Sequence, residues 1–361
     1  MYTAYEIMNG DRLVATIDQS GRTKIDCPSF MPFDLALTVS DEFDTLVQNI
    51  HNFYHWCASR FIDFERQHAV AMLNSATLTH GTTDKARAQN ALTYHCLSMT
   101  DVYWVRELHS TTTFKDINLY ENNRSCSCAQ ISLCGKQHAV EPIILARDLS
   151  TVGLYPKTWL YVNDRFQLLK GGSDDAVSRE VLASQIYRCF DVNQVLYEET
   201  IYDGKRVSIC DAITSIQYSI VSIARLETWL RQRNCDTCNY VLRLDRRNYY
   251  MMNIIDYLVG NTDRHWGNWG VLVDNTTNIP RRLHDLMDFN QSFNAYDTIE
   301  GANCLTTFGV KMTQKEAALQ AVKAIGLNQI CEVDSAVFER LPQYEKMFRK
   351  RLALLEAYAK R

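Results

Sequence analysis

The sequence predicts an α+β chain: a strand-rich lobe with one helix, then a helix-rich lobe, with an additional N-terminal segment in front. Three observations carry this. Alternating apolar runs separated by Asn-Asp and Asp-Gly turns fill 141–213 around a single helical pattern. Helix-spaced apolar residues dominate 214–361, interrupted by a short strand–loop–strand at 269–289. Residues 1–140 carry a hairpin and helices of their own. The expected divisions are therefore 1–140, 141–213 and 214–361.

In order, TAYEI, a turn at Asn9-Gly10 and RLVATID read as a hairpin, followed by a turn at Ser20-Gly21 and RTKI. Ser40-Asp41-Glu42 caps a helix whose apolar positions include Leu46, Ile50, Phe53 and Tyr54. Segments 68–74 and 84–93 read as further helical pieces. The stretch from Glu141 to Gly172 reads as strand, loop, strand, turn at Asn163-Asp164, strand. A helix capped by Ser173 or Asp174 follows, then a hairpin about Asp203-Gly204. Segments 313–325 and 334–358 read as closing helices.

Composition bounds the function. The 361 residues are 46% hydrophobic, 22% charged and 11% aromatic, which excludes a disordered or low-complexity chain. The 38 Lys and Arg against 42 Asp and Glu give a net charge of -4, so DNA binding is not expected. No apolar run is long enough to span a membrane, and the start lacks the pattern of a signal peptide. A cytoplasmic location is expected, with the 12 cysteines mostly reduced and Cys57, Cys189 and Cys210 buried. Cys126, Cys128 and Cys134 with the Cys235–Cys238 CxxC do not form a standard zinc pattern. The arginines Arg225, Arg231, Arg233, Arg243, Arg246 and Arg247 read as a solvated helical face, with an acidic docking site as the alternative.

The sharpest constellation is YLVGNTDRHWGNWGVLVDN followed by LHDLMDFNQSF. Asp263, His265 and Asn268 form D-x-H-x-x-N, and Asp288 follows after a pair of apolar strands. Such a strand pair brings Asn268 beside Asp288. A carboxylate and an amide oxygen on one spot suit Mg2+, which takes hard oxygen ligands and fills its remaining sites with phosphates and water. Asp285 is a rival ligand. Asp263 would orient the attacking hydroxyl in phosphoryl transfer, with His265 holding the loop.

This pattern resembles the HipA-like kinases, a branch of the kinase fold distantly similar to phosphatidylinositol kinases. Asp263 and Asn268 keep the five-residue step of protein kinases, although the H-R-D triplet is absent. The resemblance implies a two-lobed protein-kinase-like fold. It implies a nucleotide loop in LSTVGLYPKTWL, where Ser150, Thr151, Gly153 and Lys157 would meet phosphates. It implies Lys170 as the phosphate-contacting strand lysine and Glu180 as its support. Backbone groups of Cys210 to Ile213 would read the adenine edge, and Asp211 the ribose. SMTDVYWVRE and FKDINLYENN look like a front segment of some bacterial members.

The function expected is an ATP- and Mg2+-dependent kinase acting on a Ser or Thr of a protein or peptide. A small-molecule or lipid-headgroup kinase, a non-catalytic nucleotide-binding scaffold and adenylyl transfer stay open. Ser150 and Thr151 lie where added phosphate would oppose ATP, which makes them candidates for self-modification.

Overall fold

A computed structural model of the chain describes residues 4–122 and 128–360. The described chain forms two compact units. The first is Met1–Gly171 with Thr214–Ser219 and Asp274–Ile279; the second is Gly172–Ile213, Ile220–Val273 and Pro280–Arg361.

The first unit opens with β1 (Ala4–Asn9), β2 (Arg12–Asp18) and β3 (Thr23–Ile25), then α1 (Phe43–Ala58), α2 (Ala69–Ser75), α3 (Asp84–Leu92) and β4 (Tyr103–Glu107). The Asn9-Gly10 hairpin forms as read, and β4 completes an antiparallel sheet in the order β3-β2-β1-β4. β4 was not expected from sequence. The Ser20-Gly21 turn is pinned by Asp18, whose carboxylate accepts the Ser20 N–H at 2.8 Å and its hydroxyl at 2.6 Å. Trp56, Tyr94 and Trp104, the last of them on β4, are buried in the core of this unit. Arg60 at the end of α1 makes a buried two-pronged pair with Asp101, at 2.9 and 2.7 Å.

The same unit continues with α4 (Phe114–Ile117), α5 (Cys128–Ser132), α6 (Pro142–Leu149), β5 (Lys157–Val162) and β6 (Arg165–Lys170). The first strand expected after Glu141 is instead the helix α6. Pro142 occupies its first turn, and Leu145, Ala146 and Leu149 form its buried face. β5 and β6 pair as expected through Asn163 and Asp164, whose φ values of 51 and 60 suit a tight hairpin turn.

The second unit begins with α7 (Asp174–Tyr187), capped by Ser173, and the hairpin β7 (Glu198–Tyr202)–β8 (Lys205–Asp211). It continues through most of β9 (Tyr218–Ser222), α8 (Ile223–Arg231), α9 (Thr237–Val259), most of β10 (Gly270–Asp274) and β11 (Ile279–Leu283), α10 (Gln314–Ile325) and α11 (Glu345–Ala359). β9 was not expected; it joins the expected strand pair in the order β11-β10-β9. A side chain at Gly270 would sit 2.0 Å from the Val221 carbonyl oxygen, so only glycine allows this approach. Thr313 and Glu316 cap α10 reciprocally.

α9 is the axis of this unit, with α7, α8, α10 and α11 packed against it. It breaks at Asp245, where φ is -155 and ψ is 68. The Asp245 carboxylate accepts the Asn248 N–H at 3.2 Å, which starts a new helix, and the Leu283 N–H of β11 at 3.1 Å. Among the described residues no helix is long and apolar enough to cross a membrane. Cys57, Cys189 and Cys210 are buried.

His284 follows β11. It is buried, its Nδ1 lies 2.8 Å from the Asp285 carbonyl oxygen, and burial pushes its pKa down to about 4. The fold thus favours neutral imidazole. The unfolded chain binds the proton first as pH falls, so stability is lost from about pH 6.5 toward pH 4. We expect a loss of up to about 3 kcal/mol across that window from this group, flattened in His284→Asn. Urea unfolding at a series of pH values measures it; parallel profiles for the two proteins would refute it.

Candidate active site

The loop carrying Asp263, His265 and Asn268 leaves the end of α9. Gly260, at φ 61, turns the chain out of the helix. What fixes the loop is a buried ion pair that no motif marks. Arg264 Nε and Nη2 donate to the two carboxylate oxygens of Asp256, on the last turn of α9, at 2.8 and 3.1 Å. The same carboxylate accepts the Tyr187 hydroxyl from α7 at 3.0 Å and the Asn261 amide at 3.2 Å. Burial alone pulls the Arg264 pKa down, but the Asp256 carboxylate outweighs it and holds the guanidinium cation above its ordinary range.

The remaining nitrogen of Arg264 joins two strips of chain. Nη1 donates to the Asn268 carbonyl oxygen at 3.0 Å and to the Met287 carbonyl oxygen at 2.6 Å. The D-x-H-x-x-N loop and the residue before Asp288 therefore hang from one atom. Phe289 lies beside this guanidinium, 5.7 Å from the ring centroid, and packs on Tyr187 and Tyr197.

Within the loop, Asn268 Nδ2 donates to the Asp263 carbonyl oxygen at 2.8 Å and to its Oδ2 at 3.2 Å. The Asp263 side chain stays 44% exposed. His265 Nδ1 accepts the Gly267 N–H at 2.9 Å, and its Nε2 lies 3.9 Å from Asp263. The ring closes the turn between His265 and Gly267.

Asp288 is half-buried, with its N–H donated to the Tyr197 hydroxyl at 3.2 Å. Its φ of 60 is uncommon for a side-chain-bearing residue. Asp285, the rival, accepts Arg282 Nη1 at 2.7 Å and is engaged as an ion pair. Tyr197 is buried, and burial, followed by the charges of Cys210, Glu180 and Asp288, raises its pKa. Its phenol therefore stays neutral.

The other expected residues fall on both units. In the second, Glu180 is buried on α7 and accepts the Ser208 hydroxyl at 2.5 Å. Cys210 is buried near the end of β8, Asp211 is exposed there, and Ile213 lies in irregular chain. In the first, Lys170 ends β6, is buried, pairs in register with Lys157 and lies 5.9 Å from the Tyr155 ring. Gly153 has φ 109, and Lys157 donates to the Val152 carbonyl oxygen at 2.7 Å. Ser150 and Thr151 both donate to the Arg147 carbonyl oxygen, at 3.2 and 2.6 Å, so these hydroxyls end α6.

Among the described residues, no group of three or more His, Cys, Asp or Glu side chains forms a metal centre. Cys126 lies outside the described residues. Of the arginine stretch, Arg231 pairs with Glu227 at 2.8 Å, Arg247 pairs with Asp191, and Arg233 stacks 4.0 Å over Trp229. Asp256, Arg264 and Tyr197 were missed by sequence reading. The one available signal was a charged residue, Asp256, inside the apolar run IIDYLV.

No family model matches the sequence, and no curated protein matches it. Solved structures do. HipA of the Shewanella oneidensis MR-1 toxin–antitoxin system, in complex with HipB and operator DNA, aligns over 99% of each chain with TM-score 0.54 and 10% identity. The Helicobacter pylori proinflammatory kinase CtkA aligns over 58% of this chain and 89% of its own, with TM-score 0.44 and 16% identity. The full-length likeness to HipA defines the class of fold as α+β, two-lobed and kinase-like. Within that class the chain is HipA-like in fold, as its motifs implied.

The Asp256–Arg264 pair generates a prediction. Arg264→Met leaves a buried carboxylate short of its main partner and should cost about 3–5 kcal/mol in urea unfolding. Asp256→Leu combined with Arg264→Met should cost less than the two single changes summed. A loss under about 1 kcal/mol for Arg264→Met would show that the pair does not organise this region.

Proposed function

We propose that the chain is an ATP- and Mg2+-dependent kinase that transfers the γ-phosphoryl group to a Ser or Thr hydroxyl of a protein or peptide, in the cytoplasm. The observation that carries this reading is the single Arg264 nitrogen that holds both the Asn268 and Met287 carbonyls. The candidate base and both candidate oxygen ligands are thereby tied to one buried point.

The residues fit a hard divalent cation. Asn268 spends its amide nitrogen on Asp263, which leaves an amide oxygen as a donor, and Asp288 adds a carboxylate. Asn268 and Asp288 would hold Mg2+, which supplies charge neutralisation at the phosphate oxygens when bound. Asp263 orients the attacking hydroxyl and accepts its proton. Asn268 aims the Asp263 carboxylate, and His265 keeps the loop closed.

The remaining roles follow the HipA-like resemblance. On that resemblance Lys170 would contact phosphates, and Glu180 would take the role of the helix glutamate. The loop around Gly153 offers backbone N–H groups to the phosphates. Cys210 to Ile213 meet adenine. Catalysis on this reading is mostly positioning and charge neutralisation.

The test is mass spectrometry after incubation with Mg-ATP, alone and with lysate of the host. Wild type should add phosphate to Ser or Thr residues. Asp263→Ala and Asp288→Asn should each lower transfer about 1000-fold. Near-normal turnover by both variants would remove the site assignment. Gain of AMP instead of phosphate would keep the nucleotide but change the reaction, and phosphate on metabolites alone would change the substrate class.

A further inference from the structure

The loop between α6 and β5 is held by a part of the chain that carries no motif. Arg66 sits in a turn just before α2, with its side chain buried at 2% exposure. Its Nη1 donates to the Asp148 carbonyl oxygen at 2.8 Å and to the Thr151 carbonyl oxygen at 3.2 Å. Its Nη2 donates to the Lys157 carbonyl oxygen. The N–H of the next residue, Gln67, donates to the Leu154 carbonyl oxygen at 3.0 Å. One side chain thus grips both feet of the loop, and the adjoining amide grips its crest.

The direction of these contacts matters. In a planar trans peptide the N–H points opposite to the carbonyl that precedes it. Arg66 holds the Thr151 carbonyl, Lys157 the Val152 carbonyl and Gln67 the Leu154 carbonyl. The N–H groups of Val152, Gly153 and Tyr155 therefore each point away from the held carbonyl that precedes them. Successive N–H groups turned one way make an anion-binding concavity. Gly153 belongs to this arrangement, because its φ of 109 is one that residues with a side chain rarely adopt. Lys157 accordingly acts on the loop's own carbonyl as well as adding charge.

We infer that Arg66, with the Gln67 amide, is a positioning residue that presents the N–H groups of the 150–156 loop to the phosphates of a nucleoside triphosphate. This rests on the kinase reading above and gives the N-terminal segment a part in the nucleotide site. Burial lowers the Arg66 pKa to about 10, so the brace stays cationic at neutral pH.

The test compares wild type with Arg66→Met and Arg66→Lys in two assays. Titration calorimetry with Mg-ATP and with adenosine separates phosphate contacts from the rest of the nucleotide. Hydrogen exchange of peptides covering 149–157 reads the loop directly. Arg66→Met should weaken Mg-ATP at least 10-fold, leave adenosine within about 2-fold and speed loop exchange. Arg66→Lys, with fewer well-placed donors, should recover part of the ATP affinity. Should Arg66→Met fail to fold, Gln67→Pro removes the crest contact and constrains the Arg66 backbone, and the same ATP-specific loss is expected. Equal weakening of ATP and adenosine, or loop exchange unchanged in folded variants, would overturn the inference. Failure of wild type to bind Mg-ATP would instead overturn the kinase reading, while the exchange measurement still decides the brace.

Discussion

The site depends on the burial of the Asp256–Arg264 pair. Taking two charges out of water is costly, and the cost is met only where every donor and acceptor is used. Here the Asp256 carboxylate collects Arg264, Tyr187 and Asn261, and Arg264 spends its remaining nitrogen on two carbonyls. The partners come from four stretches of chain: α7, the end of α9, the loop after it and the exit from β11. The pair is therefore an assembly device more than a source of stability. A shift in any of those stretches would strand a buried charge, so the stretches are fixed together.

Aromatic packing reinforces the same point. Phe289 follows the candidate ligand Asp288 and is wedged between Tyr187 and Tyr197, at ring separations of 4.4 and 5.5 Å. Tyr187 thus serves the ion pair through its hydroxyl and the Asp288 segment through its ring. Tyr197 holds the Asp288 backbone while that residue keeps a left-handed conformation, which costs roughly 1–2 kcal/mol for a non-glycine residue. Local strain of this kind is retained where the surroundings over-determine it.

What the sequence made legible follows the reach of its signals. Turns declared themselves through residue chemistry at Asn9-Gly10, Asn163-Asp164 and Asp203-Gly204, and the start of α7 through Ser173. α6 was read as a strand because Ile143 and Ile144 favour strands, whereas Pro142 and the buried Leu145–Leu149 face decide for helix. β9 lay in a stretch read as helical, and it passes directly into α8 at Ser222 with no turn between them. The spacing of Asp263, Asn268 and Asp288 stood out because those residues share one loop and one hairpin. Arg66 could not stand out: it holds backbone carbonyls as far as 91 residues away, and a carbonyl leaves no mark on residue type.

The break in α9 has a consequence for how this site tolerates change. Asp245 starts the second half of the helix afresh, so the angular phase of Asp256 about the helix axis is counted from Asp245 and not from Thr237. A residue gained or lost between Thr237 and Arg243 would rotate the first half by about 100°, at 3.6 residues per turn, without turning the carboxylate away from Arg264. The break works as a phase reset: a change in the first half is felt at its own buried residues, Thr237 and Val241, while the inner half keeps its aim.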